Sequence, residues 1–256
     1  MKTAIDLSRA AREAVFFNQL ARESGNGDVR TATYDHVTRF AVIAFDRALS
    51  DSRVHLEIGC GEQPFTALLC SGSRAVCMDI AIDTLKVAKD REPRLDYVCA
   101  DVSALPFRPG VFDGVIGAAI LHHLPPGPCK AEIERVLQAA GIAIFSEPQS
   151  GNPAIRAYRK LHREQYSPDE HPLGPPDLKG WSDGTTLTTQ PLDFFGIGVS
   201  LLPFLRRSTR MRRVVEGFDA RLARLVPALG RFYRYVIVVL GERGSSLKVN
   251  QIRVER

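Results

Sequence analysis

The chain lacks the marks of a disulfide scaffold, a zinc module, a secreted precursor or a membrane span. Its five cysteines, Cys60, Cys70, Cys77, Cys99 and Cys129, contain no CxxC pair and no cysteine–histidine spacing of a zinc site. They read as reduced thiols, so a cytoplasmic protein with no bound metal is expected. The opening MKTAIDLSRAAREAVFF is broken by Asp6, Arg9, Arg12 and Glu13 and has no secretory apolar core; its alanine spacing suits a helix. The longest apolar stretch, residues 192–205, holds Asp193 and two glycines and falls short of the about 20 residues that cross a bilayer. Internal repeats and low-complexity tracts are also absent.

What is present is ordinary globular composition, 45% hydrophobic and 25% charged over 256 residues, enough for one large domain with an embellishment. The net charge of +5 is unevenly spread. Much of the excess lies late, at Arg206, Arg207, Arg210, Arg212, Arg213, Arg221, Arg224, Arg231 and Arg234. That arginine-rich part admits a solvated helix face, an anionic or lipid-like ligand, or a nucleic-acid surface, with the first as the default.

Between about residues 53 and 148, short apolar runs alternate with helical periodicity, the pattern of a parallel sheet with crossover helices. Strands are read at RVHLEI, RAVCMDI, RLDYVCAD, FDGVIGAAI and GIAIFSE, with a late one at RYVIVVLGER. Helical spacing appears at Val37, Phe40, Ala41, Ala44, Ala48 and Leu49, and again at Ile133, Val136, Leu137 and Ala140. Pro64 stands where a helix can start, with Phe65, Leu68 and Leu69 on one face. A helix is expected at 154–164, a proline- and glycine-rich loop at 167–180, and an apolar helical stripe at Val214, Val215, Phe218, Leu222, Leu225, Val226 and Leu229.

The first strand runs into Glu57-Ile58-Gly59-Cys60-Gly61, where glycines let the backbone bend and approach a ligand. Asp79 ends the second strand, where a carboxylate can accept both hydroxyls of a ribose, and Asp101 ends the third. Each carboxylate alone could be a helix cap. Their arrival at successive strand ends, on the edge where open α/β sheets bind ligands, favours a nucleoside cofactor. A dinucleotide fingerprint would need glycine at position 64 and finds proline.

The segments VHLEIGCGEQPF, VCMDI, VCADV and FDGVIGAAILHHL resemble the successive motifs of class I S-adenosylmethionine-dependent methyltransferases. LHHL followed by AEIERVLQ is similar to the ubiquinone/menaquinone-biosynthesis-like (type 11) subgroup. The resemblance covers about residues 34–147. It implies an α/β, Rossmann-like, seven-stranded sheet with helices on both faces and a substrate-covering insertion. It also implies S-adenosyl-L-methionine as cofactor and S-adenosyl-L-homocysteine as product. Gly59 and Gly61 would line the methionine portion, Asp79 the ribose, and Asp101 with Val102 the adenine. Gly117 with Ala118 would close the site, Glu57 would hold the glycine turn and the cofactor's amino end, and Tyr34 would close over it. Cys60 and Ile80 belong to the same implied set. One departure is visible: where the family commonly has a third glycine, this chain continues Glu62-Gln63-Pro64. Gln63 either bonds the methionine carboxylate or displaces the cofactor.

Methyl transfer is an in-line displacement, so positioning dominates and a general base is optional. His123 and His122, after the fourth strand, can serve as base or as packing. Glu147, ending the fifth strand, can steer an amine, accept a proton or simply cap. Tyr158, His162, Tyr166 and His171 lie in the segment expected to cover the pocket. The Asp/Asn-Pro-Pro-aromatic motif of amino-methylating DNA enzymes, a Pro-Cys nucleophile and a glutamate pair after the fourth strand are missing, so nucleic acid and protein arginine are not the expected acceptors. A small organic acceptor remains: a quinone, a specialised metabolite or a lipid-like molecule, with peripheral membrane contact through the arginine-rich part. The alternatives are a noncatalytic cofactor-binding module and an enzyme of non-methylating chemistry. The expected division is a helical cover over 1–50, a cofactor-binding core over 51–150, and a substrate-covering segment with the last strands over 151–256.

Overall fold

The computed structural model describes residues 8–24, 32–70, 72–163, 166–183, 186–195 and 209–241. The apolar runs form the strands β1 (Val54–Ile58), β2 (Arg74–Asp79), β3 (Asp96–Cys99), β4 (Phe112–Ala118), β5 (Leu137–Pro148), β6 (Thr186–Leu192) and β7 (Tyr235–Gly241). They lie in one seven-stranded sheet of order β3-β2-β1-β4-β5-β7-β6. β1 to β5 are parallel neighbours, whereas β7 runs antiparallel between β5 and β6. The order reverses between β1 and β4, which creates a crevice at the carboxyl ends of those strands.

Helices cover both faces, and the two-residue period of the strands decides which side chain meets which helix. Val115, Phe145 and Val238 face one core with Val136 and Trp181. Ile116, Ile144 and Val239 face the other with Phe40, Ala41, Phe45 and Leu49. The second set comes from α2 (Ala32–Ala48) and the turn after it. Gly114 lets that turn come close, since a Cβ there would stand 2.2 Å from Leu49 Cδ2. On the first face lie α4 (Pro126–Val136) and α6 (Pro175–Ser182), with α5 (Pro153–Leu161) between β5 and α6 in the chain. α1 (Arg9–Ser24) packs on α3 (Ile82–Arg91), where the Asp83 N–H donates to Asn18 Oδ1 at 2.7 Å. Among the described residues no helix is long and apolar enough to cross a membrane.

Several expectations change. The segment after Pro64 makes only a short 3-10 turn, Phe65–Leu68, because the Cys70 N–H is drawn to Asp46 Oδ1 at 2.7 Å and β2 begins soon after. α4 stops at Val136, and Leu137 leaves the helical spacing to pair with Phe112 in the sheet. The proline-rich stretch at 167–180 is not all loop. Its paired prolines open α6, where the missing N–H groups cost nothing; Asp177 Oδ2 accepts the Gly174 N–H at 2.8 Å, and buried Trp181 docks the helix. β6 was not legible because its threonines carry little hydrophobic pattern. The last helix, α7 (Thr209–Leu225), ends before Leu229, and Val214, Phe218 and Leu225 of its apolar stripe are exposed. Arg206, Arg207 and residues 196–205 of the long apolar stretch lie outside the described residues, as do the side chains of Arg210, Arg212 and Arg213.

One buried polar residue makes the core sensitive to acid. His55 of β1 is 1% exposed, with Nδ1 2.9 Å from Ser73 Oγ and Nε2 3.0 Å from Thr66 Oγ1, contacts a neutral ring satisfies. Burial lowers its pKa from 6.5 to about 4, so between those values the unfolded chain binds the proton and the folded chain does not. Stability is full above pH 6.5 and is lost as the pH falls towards 4, by about 3 kcal/mol. Urea unfolding across that window should show the slope, and His55→Gln should flatten it; an unchanged slope in the variant would refute the assignment.

Candidate cofactor and active site

At the carboxyl edge of the sheet, buried carboxylates are satisfied by the backbones of the loops they hold. Glu57, 1% exposed, accepts the N–H groups of Phe65 and Thr66, each at 2.8 Å. This fixes the far end of the glycine turn and leaves the turn itself to Gly59 and Gly61, whose φ values are +62° and +60°. Asp79 fixes the near end: Oδ2 accepts the Gly61 N–H at 3.0 Å and Oδ1 the Ala81 N–H at 2.9 Å. Burial pushes the Asp79 carboxyl up from its usual range, opposed by the donors Ala81, Gly61 and Ile80. Asp101 Oδ1 accepts the Ser103 N–H at 2.8 Å and starts the short turn Val102–Ala104.

The other residues of the implied cofactor set fall unequally. Cys60 points into the core beside Cys77, and that contact together with burial raises its thiol pKa, so it is an inert packing group. Val102 is likewise a core residue. Gln63 is half-buried within the turn. Gly117 and Ala118 end β4 beside β5, and a Cβ on Gly117 would stand 2.7 Å from Ile120 Cγ2. Tyr34 lies in α2, with its side chain outside the described residues, as is that of Tyr158. Ile120 is a residue that spacing did not single out. Its side chain lies where a Cβ on Gly59 would be 2.6 Å away, so it packs across both glycines.

The turn that places Ile120 is strained and then secured. Ala119 has φ +54°, a left-handed conformation that costs a non-glycine residue about 1 kcal/mol or more. The fully buried Glu147 offsets that cost: Oε1 accepts the N–H groups of Ile120 and Leu121 at 2.9 Å, and Oε2 lies 2.7 Å from His122 Nδ1. Glu147 and His122 are therefore built into the turn. Burial opposes a charge on His122, but hydrogen bonds and fields from Glu147 and Glu170 outweigh it and raise its pKa to about 9. His123 lies next to it, 8% exposed, with Nδ1 3.1 Å from Glu13 Oε2 and its ring edge-on to Phe17.

Glu13, Arg159 and Glu170 were not legible as site residues. Glu170 accepts from Arg159 and has Oε1 3.4 Å from His122 Nε2; burial would raise its carboxyl, but His122 and Arg159 hold it at about 2. Glu13 accepts the Ser167 hydroxyl at 2.5 Å, and Arg12 grips Asp169 with bonds of 2.7 and 2.9 Å. Arg9 donates to the carbonyls of His122 and Asp169 at 2.9 and 3.2 Å. α1 and the segment between α5 and α6 are thus sealed over the end of β4.

The turn fits the implied cofactor. Nothing stands within 4 Å of the Cβ position of Gly61, so the backbone opens to a ligand on that side. Beyond its backbone donors, the Asp79 carboxylate keeps acceptor capacity for a ribose. A separate cavity of about 110 Å³, lined by residues such as Ser52, Asp113 and Gly141, sits at the opposite edge of the sheet. Asp79→Ala should weaken S-adenosylmethionine binding at least tenfold, about 1.4 kcal/mol, because it removes the ribose acceptor and the brace on Gly61. Calorimetry checks this, and equal affinity in the variant would contradict the placement.

A family profile described as "Methyltransferase domain" matches residues 56–145. A demethylmenaquinone methyltransferase of Renibacterium salmoninarum is 33% identical over 97 residues, which are 36% of this chain and 40% of that protein. The chain therefore spans less than half the length of this relative. In structure, the chain resembles an S-adenosylmethionine-dependent methyltransferase from Archaeoglobus fulgidus, with TM-score 0.56, 17% identity, and coverage of 87% of this chain and 98% of that one. It also resembles the [4+2]-cyclase SpnF, with TM-score 0.59, 15% identity, and coverage of 92% and 97%. At such identities the likeness concerns the fold. The strand order and the glycine turn agree with the match of residues 56–145 to the methyltransferase-domain profile.

Proposed function

We propose that this chain transfers the methyl group of S-adenosylmethionine to a small organic acceptor. The observation that carries the reading is the Asp79 carboxylate bound to the Gly61 and Ala81 N–H groups beside an open glycine turn. When bound, the cofactor supplies an electrophilic methyl on a sulfonium. The protein's part is to hold that group in line with the acceptor and keep water away. Gly59, Gly61 and Ile120 shape the cradle, Asp79 and Asp101 orient the nucleoside, and Glu147 with His122 positions Ile120. His122 is held between Glu147 and Glu170, which leaves His123 as the histidine to act on a proton, and an acceptor already deprotonated needs no base.

A quinone-like, lipid-like or specialised-metabolite acceptor is the matching substrate class, supported by the partial similarity to a demethylmenaquinone methyltransferase. Residues 1–50 then act as a cover, 51–150 as the cofactor core and 151–256 as the acceptor-covering part. A cytoplasmic setting goes with this reading, supported by five free thiols. Because this fold also occurs in a cyclase, fold alone does not fix the reaction. Incubation with S-adenosylmethionine and a panel of quinols and phenols should release S-adenosylhomocysteine in equal amount to methylated product, and Asp79→Ala should lower that rate at least tenfold. Tight cofactor binding with no methylated product from any acceptor would transfer the conclusion to a noncatalytic module. Consumption of an acceptor without methylation would point to other chemistry.

The exposed Val214, Phe218 and Leu225 on α7, flanked by exposed Arg221 and Arg224, support peripheral contact with an anionic membrane. The chain should sediment with phosphatidylserine vesicles at low salt, and Phe218→Asp should reduce the bound fraction several-fold. Failure to sediment removes this contact from the reading.

A further inference from the structure

We propose that His122, His123 and Glu170 form a divalent metal site of the zinc type, closed over the end of β4 by α1 and the segment between α5 and α6. One ligand atom from each residue lies within 4.8 Å of the other two. Glu170 Oε1 is 3.4 Å from His122 Nε2, and Oε2 is 3.9 Å from His123 Nε2. Bonds of about 2.0–2.1 Å around a tetrahedral ion place neighbouring ligands roughly 3.3 Å apart, a spacing that His122 Nε2 and Glu170 Oε1 already approach and that the other pairs would reach by side-chain rotation. No cysteine is involved, which is why cysteine spacing gave no sign of it.

The strongest support is what stands behind each ring. Metal-ligating histidines almost always present their second nitrogen to a carboxylate, which fixes the tautomer and makes the ligating nitrogen more basic. Here a carboxylate stands behind each ring: His122 Nδ1 is hydrogen-bonded to Glu147 Oε2 at 2.7 Å, and His123 Nδ1 lies 3.1 Å from Glu13 Oε2. With each Nδ1 turned to its carboxylate, Nε2 is the nitrogen that both rings present to Glu170, and a metal ion bound there would replace any proton it carries.

Charge and burial point the same way. Glu13, Glu147 and Glu170 converge on the two rings, and Arg159 pairs with Glu170 through Oε1, leaving Oε2 towards His123. His123 Nδ1 and Glu13 Oε2 are buried without a well-formed hydrogen bond, and ligation through Nε2 would fix the ring relative to that carboxylate. Two imidazoles and one carboxylate suit zinc and its first-row neighbours better than magnesium or calcium, which take oxygen ligands.

Such an ion would tie α1, the turn after β4 and the α5–α6 segment into one cover beside the cofactor edge. Three protein ligands also leave room for an acceptor oxygen, such as a quinol or enol hydroxyl, whose proton would leave more easily to water. That second role rests on the methyl-transfer reading, whereas metal binding does not.

The test uses the full chain, stripped with a chelator and titrated with Co²⁺ by calorimetry and visible absorption. One Co²⁺ per chain, ligand-field bands of a four- or five-coordinate site, and two paramagnetically shifted exchangeable imidazole N–H resonances are expected, all removed by Zn²⁺. Glu170→Gln and His123→Gln should weaken Co²⁺ binding at least a hundredfold, and Glu13→Gln by 10- to 100-fold. S-Adenosylmethionine binding, measured on the same samples, reports separately on folding and on the cofactor reading. Absence of stoichiometric Co²⁺ binding to the unaltered chain, or equal binding in Glu170→Gln and His123→Gln, overturns the site. Should the variants fail to fold, the spectrum of the unaltered chain decides: two shifted imidazole N–H signals support the site, and none refutes it. Metal binding without any metal effect on methyl transfer removes the acceptor role alone.

Discussion

A carboxylate withdrawn from water must find donors, and at the carboxyl edge of this sheet the donors are the loops themselves. Glu57 holds the Phe65 and Thr66 N–H groups, Asp79 those of Gly61 and Ala81, and Glu147 those of Ile120 and Leu121. Each interaction converts a buried charge, costly when unpaired, into a clamp on a connection that would otherwise have several conformations. The cradle around Gly59 and Gly61 depends on all three. Glu57 and Asp79 set its backbone, and Glu147 sets the residue that packs over it. The strained Ala119 survives because the sheet on one side and Glu147 on the other leave its chain no alternative.

The same economy reaches into the cover. Glu147 uses its second oxygen to hold His122, and His122 extends the network to Glu170 and Arg159, while His123 extends it to Glu13. Segments far apart in sequence, α1 and the stretch around Ser167 and Glu170, therefore meet over the end of β4. The apolar contribution at this place is modest, chiefly Phe17 against His123. Electrostatics and hydrogen bonding hold the cover, in contrast to the sheet, where Leu56, Val115, Phe145 and their neighbours are held by burial. A cover built on polar contacts is also the part that an ion or ligand can most readily tighten, because low local dielectric strengthens each added interaction.

Much of the core was legible because its determinants are local. Strand runs such as VHLEI and FDGVIGA and the order of glycine turn and carboxylates can be read from residue type and period, and the sheet keeps them in that order. The errors cluster where a local pattern was overruled. Leu137 and Ala140 match a helical face, yet hydrogen bonding beside Phe112 takes Leu137 into β5. The paired prolines before Leu178 look like loop but open a helix, because a first turn needs no N–H from them. Val214, Phe218 and Leu225 form an apolar face by period, and only the structure shows that it stands exposed, since periodicity shows that a face exists and not what lies against it.

By itself the sequence determined the parallel α/β core, the turn at Gly59 and Gly61, and the presence of Asp79 and Asp101 at its edge, because each follows from side-chain chemistry within a few residues. Only the tertiary structure decided that Cys60 and Val102 turn inward, that Ile120 lies across the glycines, and that Glu147 and His122 are braces. It alone joined Glu13 and Glu170 to the two histidines. The physical reason is the same in each case: a carboxylate's partner is chosen by distance in space, and the chain brings those partners together only after the sheet and its covering helices have packed.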